Sequence, residues 1–372
     1  MRANNVLGII QAQTYDHTLS DLTAIRTMAS VPFGCRYRFI DFPLSNMVNA
    51  GITQVGIVTR DNYQSLMDHV GSGKPWDLAR KNEGLFLLPP YNESSRVGGN
   101  SKVESLYSTL EFLKRSRQEY VVITDANAVY NFDFTELFDY HDEVGADITI
   151  CYKNGPVPKV EDLEVFNMDE NGRIIDLSIS DGEDGEEGNY SFNIYVMRKT
   201  LLQTLVKGAI AKGSYDFSRD VIQSHIKDLK IFGYEIPGYA KMFDSLQSYY
   251  DVSMDLLKPE NRLALLSNDA PISTKIHDNV PAIYGEGCKT SNSLIADGCI
   301  IEGTVENSLL FRGVVVEKGA VVKNCILMQG TKVSTGATVN SIITDKNVSV
   351  SSGRTLSGDP TYPIYITKNV VV

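Results

Sequence analysis

The stretch Val121-Val-Ile-Thr-Asp-Ala-Asn-Ala-Val-Tyr-Asn-Phe-Asp-Phe134 places Asp125, Asn127 and Asp133 directly after an apolar run. Oxygen-bearing side chains at the end of a buried strand suit Mg²⁺, which takes oxygen ligands at about 2.1 Å in near-octahedral geometry. Asp125 and Asn127 are expected on the same face of one strand, about 6.6 Å apart. That separation is too long for both to hold one ion without a bulge.

The elements around this stretch follow from periodicity. From Val6 to about Leu229, short apolar runs such as Val55–Thr59, Tyr120–Thr124 and Asp147–Tyr152 alternate with amphipathic stretches such as Val103–Leu113. That alternation predicts a mostly parallel sheet covered on both faces, with ligands at the carboxyl ends of its strands. The acidic, glycine-rich insert Asp181–Gly188 reads as a solvated loop. After Leu257-Lys-Pro-Glu260 the texture changes. A segment with Pro259 and Pro271 leads to units that align on Asn292, Asn307, Asn324 and Asn340, with glycines at Gly298, Gly313 and Gly330 and again at Gly319, Gly336 and Gly353. A period of 15 to 17 residues with recurrent glycines predicts stacked hexapeptide coils. The expected organisation is an α/β domain over 1–258, a linker over 259–280 and a parallel β-helix over 281–372.

Some function classes fall away at this point. Coil-bearing acyltransferases use a histidine as general base, but His17, His69, His141, His225 and His277 all precede the coils. A structural or subunit-contact role is the better expectation for them. A net charge of −11 argues against a general nucleic-acid or anionic-membrane surface. With no apolar run of about 18 residues and no signal-peptide pattern in Met1–Gly8, a cytoplasmic protein is expected. Cys35, Cys151, Cys288, Cys299 and Cys325 are scattered without a C-x-x-C pair, which predicts reduced structural thiols and no zinc site.

The run Val31-Pro-Phe-Gly-Cys-Arg-Tyr-Arg-Phe-Ile-Asp-Phe-Pro-Leu-Ser-Asn46, followed by Asn49–Ile52, resembles the bacterial ADP-glucose pyrophosphorylases (glucose-1-phosphate adenylyltransferases). Ser72–Leu78, Leu88-Pro-Pro-Tyr91, Asp216-Phe217, Tyr249–Leu257, Val305–Gly313 and Gly319–Val322 extend the likeness over nearly the whole chain. The resemblance implies a nucleotidyltransferase-like (Rossmann-like) domain followed by a left-handed β-helix. It also implies a chemistry that joins glucose 1-phosphate to the α-phosphate of ATP with release of pyrophosphate.

Position by position, however, the charges that chemistry uses are replaced. The family's glycine pair falls on Gln13 and Thr14, its loop arginine on Thr18, and its loop lysine on Met28. The acceptor glutamate and lysine fall on Ile179 and Ser180, and the two metal aspartates fall on Asn127 and Met242. Asp133 matches a family acid outside the metal pair, and Asp244 stands two positions late. Ser191, Asp216 and Phe217 of the sugar site are retained. Lys102 and Glu104, where the family lines its nucleotide site, read as a capped helix start with solvated charges. No cofactor is expected in this chain, and Mg²⁺ only in a catalytic partner.

Arg26, Arg36, Arg38 and His69 match the family's effector site, with Lys368 as a further cation and Pro32 in place of a family histidine. Arginines suit bidentate phosphate recognition; alternatively, Arg36 and Arg38 alternate along a strand and pair with acids. The pattern resembles the family's D-type regulatory subunits, which implies a catalytic partner subunit, a heterotetramer and a phosphorylated effector. Two alternatives stay open: a weak nucleotidyltransferase using Asp125 or Asp244 for metal, and a self-assembling scaffold without an effector.

Overall fold

The computed structural model describes residues 1–89, 101–181 and 187–372. Pro90 and Tyr91 of the Leu88–Tyr91 match, and residues 182–186 of the acidic insert, lie outside the described residues. The first domain is built on a nine-stranded mixed sheet. Its parallel side runs Tyr120–Asp125, Val6–Gln11, Gln54–Val58, Gly84–Leu88. Its antiparallel side is organised by the long strand Glu187–Arg198, which pairs with Tyr120–Asp125, Ile148–Pro156 and Glu161–Met168. Every residue of Val6–Gln11 is buried, as a central strand covered on both faces requires.

Helices cover the sheet through apolar stripes. In Phe134–Glu143 the buried residues Phe134, Leu137, Phe138 and His141 recur at helical spacing, and the N-cap Asp133 accepts from the Thr135 N–H at 2.7 Å. The stretch Val103–Leu113, expected as one helix, is two: Lys102–Ser108 and Leu110–Arg115. The break falls at Thr109, whose hydroxyl donates back to the Leu106 carbonyl at 2.7 Å and competes with the helical ladder. Among the described residues, no helix is long and apolar enough to cross a membrane.

The C-terminal part is a parallel β-helix whose three faces are parallel sheets of five short strands each. Asn292, Asn307 and Asn324 turn its corners with φ of 41°, 46° and 51°, a left-handed conformation that Asn tolerates. In the next coil the corner residue is Ser341 (φ 53°), one position after the Asn340 expected there. Strand register explains the shift: Lys323 pairs with Asn340, so the coil is 17 residues long and Ser341 stacks on Asn324. Asn340 still accepts from Asn324 Nδ2 at 2.9 Å.

The segment expected to be a linker begins with the helix Pro259–Leu265, and Asn131 Nδ2 donates to the carbonyls of Leu265 and Ala270 at 3.0 and 2.8 Å. It is thus partly folded onto the first domain. Phe311, Ile326, Met328 and Ile343 of the coils share a continuous apolar cluster with that domain, and Tyr250 donates to the Asn324 carbonyl at 2.7 Å. The five cysteines are free thiols, with only Cys288 partly exposed.

Candidate functional site

The sheet delivers two positions of interest to one corner. Tyr120–Asp125 ends at Asp125, and Asn127 lies in the bend before the short strand Ala128–Tyr130. The two residues therefore do not share one strand face, contrary to the expectation from spacing. Ala128–Tyr130 pairs antiparallel with Ala240–Met242, setting Met242 opposite Ala128, and the Phe243 N–H donates to the Asn127 carbonyl at 2.9 Å. Asn127 and Met242, matched to the metal aspartates, are thus neighbours and both buried. Neither amide atom of Asn127 has a hydrogen-bond partner among the described residues. An amide and a thioether beside each other lack the anionic oxygens that Mg²⁺ requires. Asp244 accepts from the Lys159 N–H at 3.1 Å and from the Ser245 hydroxyl at 2.8 Å, so it is committed to a turn.

Lys102 corrects a second expectation. Ser101 does cap its helix, accepting from the Glu104 N–H at 3.1 Å, but the lysine is not solvated. Its side chain is 8% exposed, and Nζ donates to Asp125 Oδ2 at 2.9 Å. Thr14 Oγ1 donates to the other oxygen of that carboxylate at 3.3 Å. The ammonium lies 4.8 Å from the ring centre of Tyr195 and 5.2 Å from that of Phe217. Burial pushes the Asp125 carboxyl above the usual carboxylate range, while Lys102 and Thr14 pull it back.

Glu164, which no sequence signal singles out, is fully buried beside this pair and accepts from the Tyr195 hydroxyl at 2.9 Å. Burial raises its carboxyl, opposed chiefly by the Lys102 charge. Since the folded-state value lies above the unfolded one of about 4.3, its contribution to stability is complete below that pH and is lost as pH rises through the folded value. Glu164→Gln, which keeps the acceptor for Tyr195, should therefore gain stability relative to the wild type as pH rises above the unfolded value, by a margin that levels off once pH passes the folded value. Urea midpoints measured from pH 5 to 9 check this.

In the loop matched to the triphosphate site, side chains bond to backbone carbonyls. Gln13 Nε2 donates to the Asp61 carbonyl at 2.6 Å and the Thr18 hydroxyl to the Tyr15 carbonyl at 2.9 Å. Met28 is buried in the core, and its N–H donates to Asp16 Oδ1 at 2.7 Å. On the sugar side, Ser180 is buried near the end of Ile174–Asp181, and the preceding Ile179 pairs with Glu164. The retained residues are held by local structure. Ser191 Oγ accepts from the Asn193 N–H at 3.0 Å, Asp216 Oδ1 accepts from the Arg219 N–H at 2.9 Å, and Phe217 meets Tyr195 edge-on at 5.2 Å.

A second site lies between the two domains. The cavity there is lined by Pro32, Arg36, Arg38 and His69 of the first domain, by His277 of the connecting segment, and by Arg312, Gln329 and Lys346 of the coils. Neither Arg36 nor Arg38 forms an ion pair among the described residues. Arg36 is exposed, and Arg38 Nη1 donates to the Ser65 carbonyl and hydroxyl at 2.6 and 2.9 Å. Pairing with acids is therefore not what these two arginines do. His69 is buried with Nε2 2.6 Å from Asp41 Oδ1, and burial lowers its pKa despite that carboxylate. Arg312 Nε lies 3.3 Å from Asp297 Oδ2.

Arg26, matched to the effector site, is elsewhere. It is 3% exposed and its Nη2 donates to both oxygens of Asp345, at 2.8 and 2.7 Å. It is a buried strut between the domains, outside the cavity lining. Lys368 is exposed and outside the cavity lining, but its charge reaches Lys346.

The coils contribute an ordered column. Arg312, Gln329 and Lys346 recur every 17 residues, and stacked backbone bonds from Gly330 to Arg312, Asn347 to Gln329 and Asn369 to Lys346 carry the column on to Lys368. Neighbouring coils put these side chains about 4.8 Å apart, next to Arg36 and Arg38. Burial, then Arg38 and Arg26, lower the Lys346 pKa to about 7. Such an excess of cations in one cavity has the chemistry to suit a multiply charged anion.

Comparison with known proteins gives independent findings. The Nucleotidyl transferase family model matches residues 15–258, and the model described as GlmU-like, C-terminal hexapeptide matches residues 279–362. The chain is 39% identical over 316 residues to the glycogen biosynthesis protein GlgD of Bacillus subtilis (strain 168), covering 85% of this chain and 82% of that protein. It is 38% identical over 323 residues to GlgD of Geobacillus stearothermophilus, covering 86% and 83%. Against the glucose-1-phosphate adenylyltransferase of Clostridium botulinum (strain Eklund 17B / Type B) it is 36% identical over 332 residues, covering 87% and 84%.

Proposed function

Because the chain belongs to the ADP-glucose pyrophosphorylase (glucose-1-phosphate adenylyltransferase) family, we propose that it serves in glycogen biosynthesis as a regulatory, non-catalytic subunit of that enzyme. The observation that carries this reading is the buried Asn127–Met242 corner. Transfer to the α-phosphate of ATP needs cations to offset charge on the reacting phosphates, and Asn127 and Met242 offer no carboxylate to hold one, while the nearby Asp125 is paired with Lys102. The Lys102–Asp125 pair and the bonds of Gln13 and Thr18 to the Asp61 and Tyr15 carbonyls support the same reading, since they engage polar groups of the cleft within the chain.

In this reading the chain assembles in the cytoplasm with a catalytic subunit of the same family, as a heterotetramer. The cavity between its domains takes a phosphorylated effector on Arg36, Arg38, Arg312 and Lys346. It regulates by binding one conformational state of its partner more tightly than another.

The test is kinetic. The pure isolated chain with Mg²⁺, ATP and glucose 1-phosphate is expected to form no ADP-glucose. Co-expressed with the catalytic subunit, it is expected to change that subunit's KM values and its response to sugar bisphosphates and nucleotides. Robust ADP-glucose formation by the isolated chain would overturn the proposal, as would kinetics identical with and without it.

A further inference from the structure

The two ends of the β-helix differ. At the first coil, Ile283–Tyr284, Lys289–Ser291 and Leu294–Ile295 each form the edge of a sheet and pair on one side only among the described residues. At the far end, residues 369–372 run over one of the three sheets: the Ser349 N–H donates to the Val370 carbonyl at 2.9 Å and the Ser351 N–H to the Val372 carbonyl at 2.7 Å. Val370 and Val372 also pack on the apolar interior of the coils. The chain thus covers part of one end, and among the described residues no strand covers the other.

Apolar surface collects at the uncovered end. Tyr284 is in register with the buried Ile301 and so faces the interior, yet it is 52% exposed. On the outer face Ile283 is in register with Ile300 and Ile300 with Val315, a column that turns polar at Lys332. Val280, Ile283 and Ile300 are 65%, 55% and 38% exposed. Such a patch marks an interaction surface, and an edge strand like Ile283–Tyr284, which has neither proline nor charge to block pairing, is open to another strand.

We propose that this open coil end is a self-association surface, on which a second copy of the chain stacks coil end to coil end across a two-fold axis. Three edges set around one apolar interior are matched in shape by the end of another coil. The far end is not that match, because residues 369–372 already occupy one of its edges. What remains is the same end of a second copy, and a two-fold contact of this kind is closed and stops at a dimer. Charge permits it: exposed Glu286 and Lys289 give the rim both signs, so each copy can set one against the other.

The experiment uses the full chain without any catalytic subunit. Sedimentation velocity over a concentration series should show a reversible monomer–dimer equilibrium with no larger species. Ile283→Asp, a change at an exposed position, should weaken that dimer roughly 30-fold or more while leaving the thermal midpoint of the monomer unchanged. Ile300→Asp should act in the same direction. Cys288 gives a second reading, since it lies in the first coil and is the partly exposed one of the five free thiols. Its reaction with a thiol reagent should slow as wild-type concentration rises and should not depend on concentration in Ile283→Asp.

A chain that stays monomeric would overturn the proposal, as would a dimer that survives both substitutions or one that leaves Cys288 equally reactive at every concentration. So would a monomeric chain whose Cys288 is shielded only when the catalytic subunit is added, which would make that subunit the occupant. Open-ended oligomers growing with concentration would show head-to-tail stacking and rule out the two-fold contact. None of these readings depends on catalysis, so ADP-glucose formation by the isolated chain would overturn the functional reading and leave this proposal standing.

Discussion

Asp345→Ala is expected to lower the unfolding free energy by about 3–5 kcal/mol, because it leaves a buried guanidinium without its counter-charge. The Asp345 carboxylate is 1% exposed. It accepts from Arg26 Nη2 through both oxygens, from the Tyr365 hydroxyl at 2.8 Å and from the Lys346 N–H at 2.7 Å. Arg26 Nη1 already has no partner among the described residues, so nothing nearby takes over when the carboxylate goes. The pair joins the coils to the segment between Ser20–Thr23 and Met28–Ser30, and the loss should therefore appear as weakened attachment of the β-helix to the first domain. Arg26→Met/Asp345→Leu should recover most of the stability, since apolar replacement of a buried pair is often neutral or better. Urea unfolding followed by tryptophan fluorescence measures both, Trp76 being the single tryptophan and buried in the first domain. A loss below about 1 kcal/mol for Asp345→Ala would contradict the strut.

Arg26 marks the boundary of what spacing can teach. An arginine twelve residues before Arg38 reads as one more phosphate ligand, because its carboxylate lies 319 positions along the chain and only docking of the coils brings it close. Lys102 failed for the same reason: a lysine at a capped helix start looks solvated until Tyr195 and Phe217 close over it. Properties that depend on period alone were legible. The alternation of apolar runs and the recurring Asn and Gly positions led to the α/β domain and the coils, and the slip at Asn340 arose because Ser341 carries no corner signal of its own. The coil side of the interdomain cavity was legible only in principle. Arg312, Gln329 and Lys346 form a column once the 17-residue register is known, whereas His277, in an irregular connection, has no periodic signature.

That column leads to the second large effect: sulfate affinity should fall as much as tenfold per pH unit above about pH 7 and be flat just below it. The sign follows from Lys346, whose pKa burial and the neighbouring arginines lower to about 7. Below that value the free cavity already carries the ammonium. Above it, binding must first recruit a proton, because the anion favours the charged form and raises the pKa in the complex. His69 and His277 are both lowered from the usual histidine range and have lost their charge before this window opens. Arg38, though lowered to about 10 by burial, keeps its charge across it. The facing acids are engaged, Asp41 with His69, Asp297 with Arg312 and Asp345 with Arg26, which leaves Lys346 as the group that sets the slope. Lys346→Met should bind weakly with no slope over pH 7–9, and Lys346→Arg should bind with no slope at near wild-type strength. Titration calorimetry at constant ionic strength reads all three, with sulfate as the probe because its charge does not change over this range. A wild-type affinity that is flat through pH 9, or a slope that survives in Lys346→Met, would remove the lysine column from the anion site.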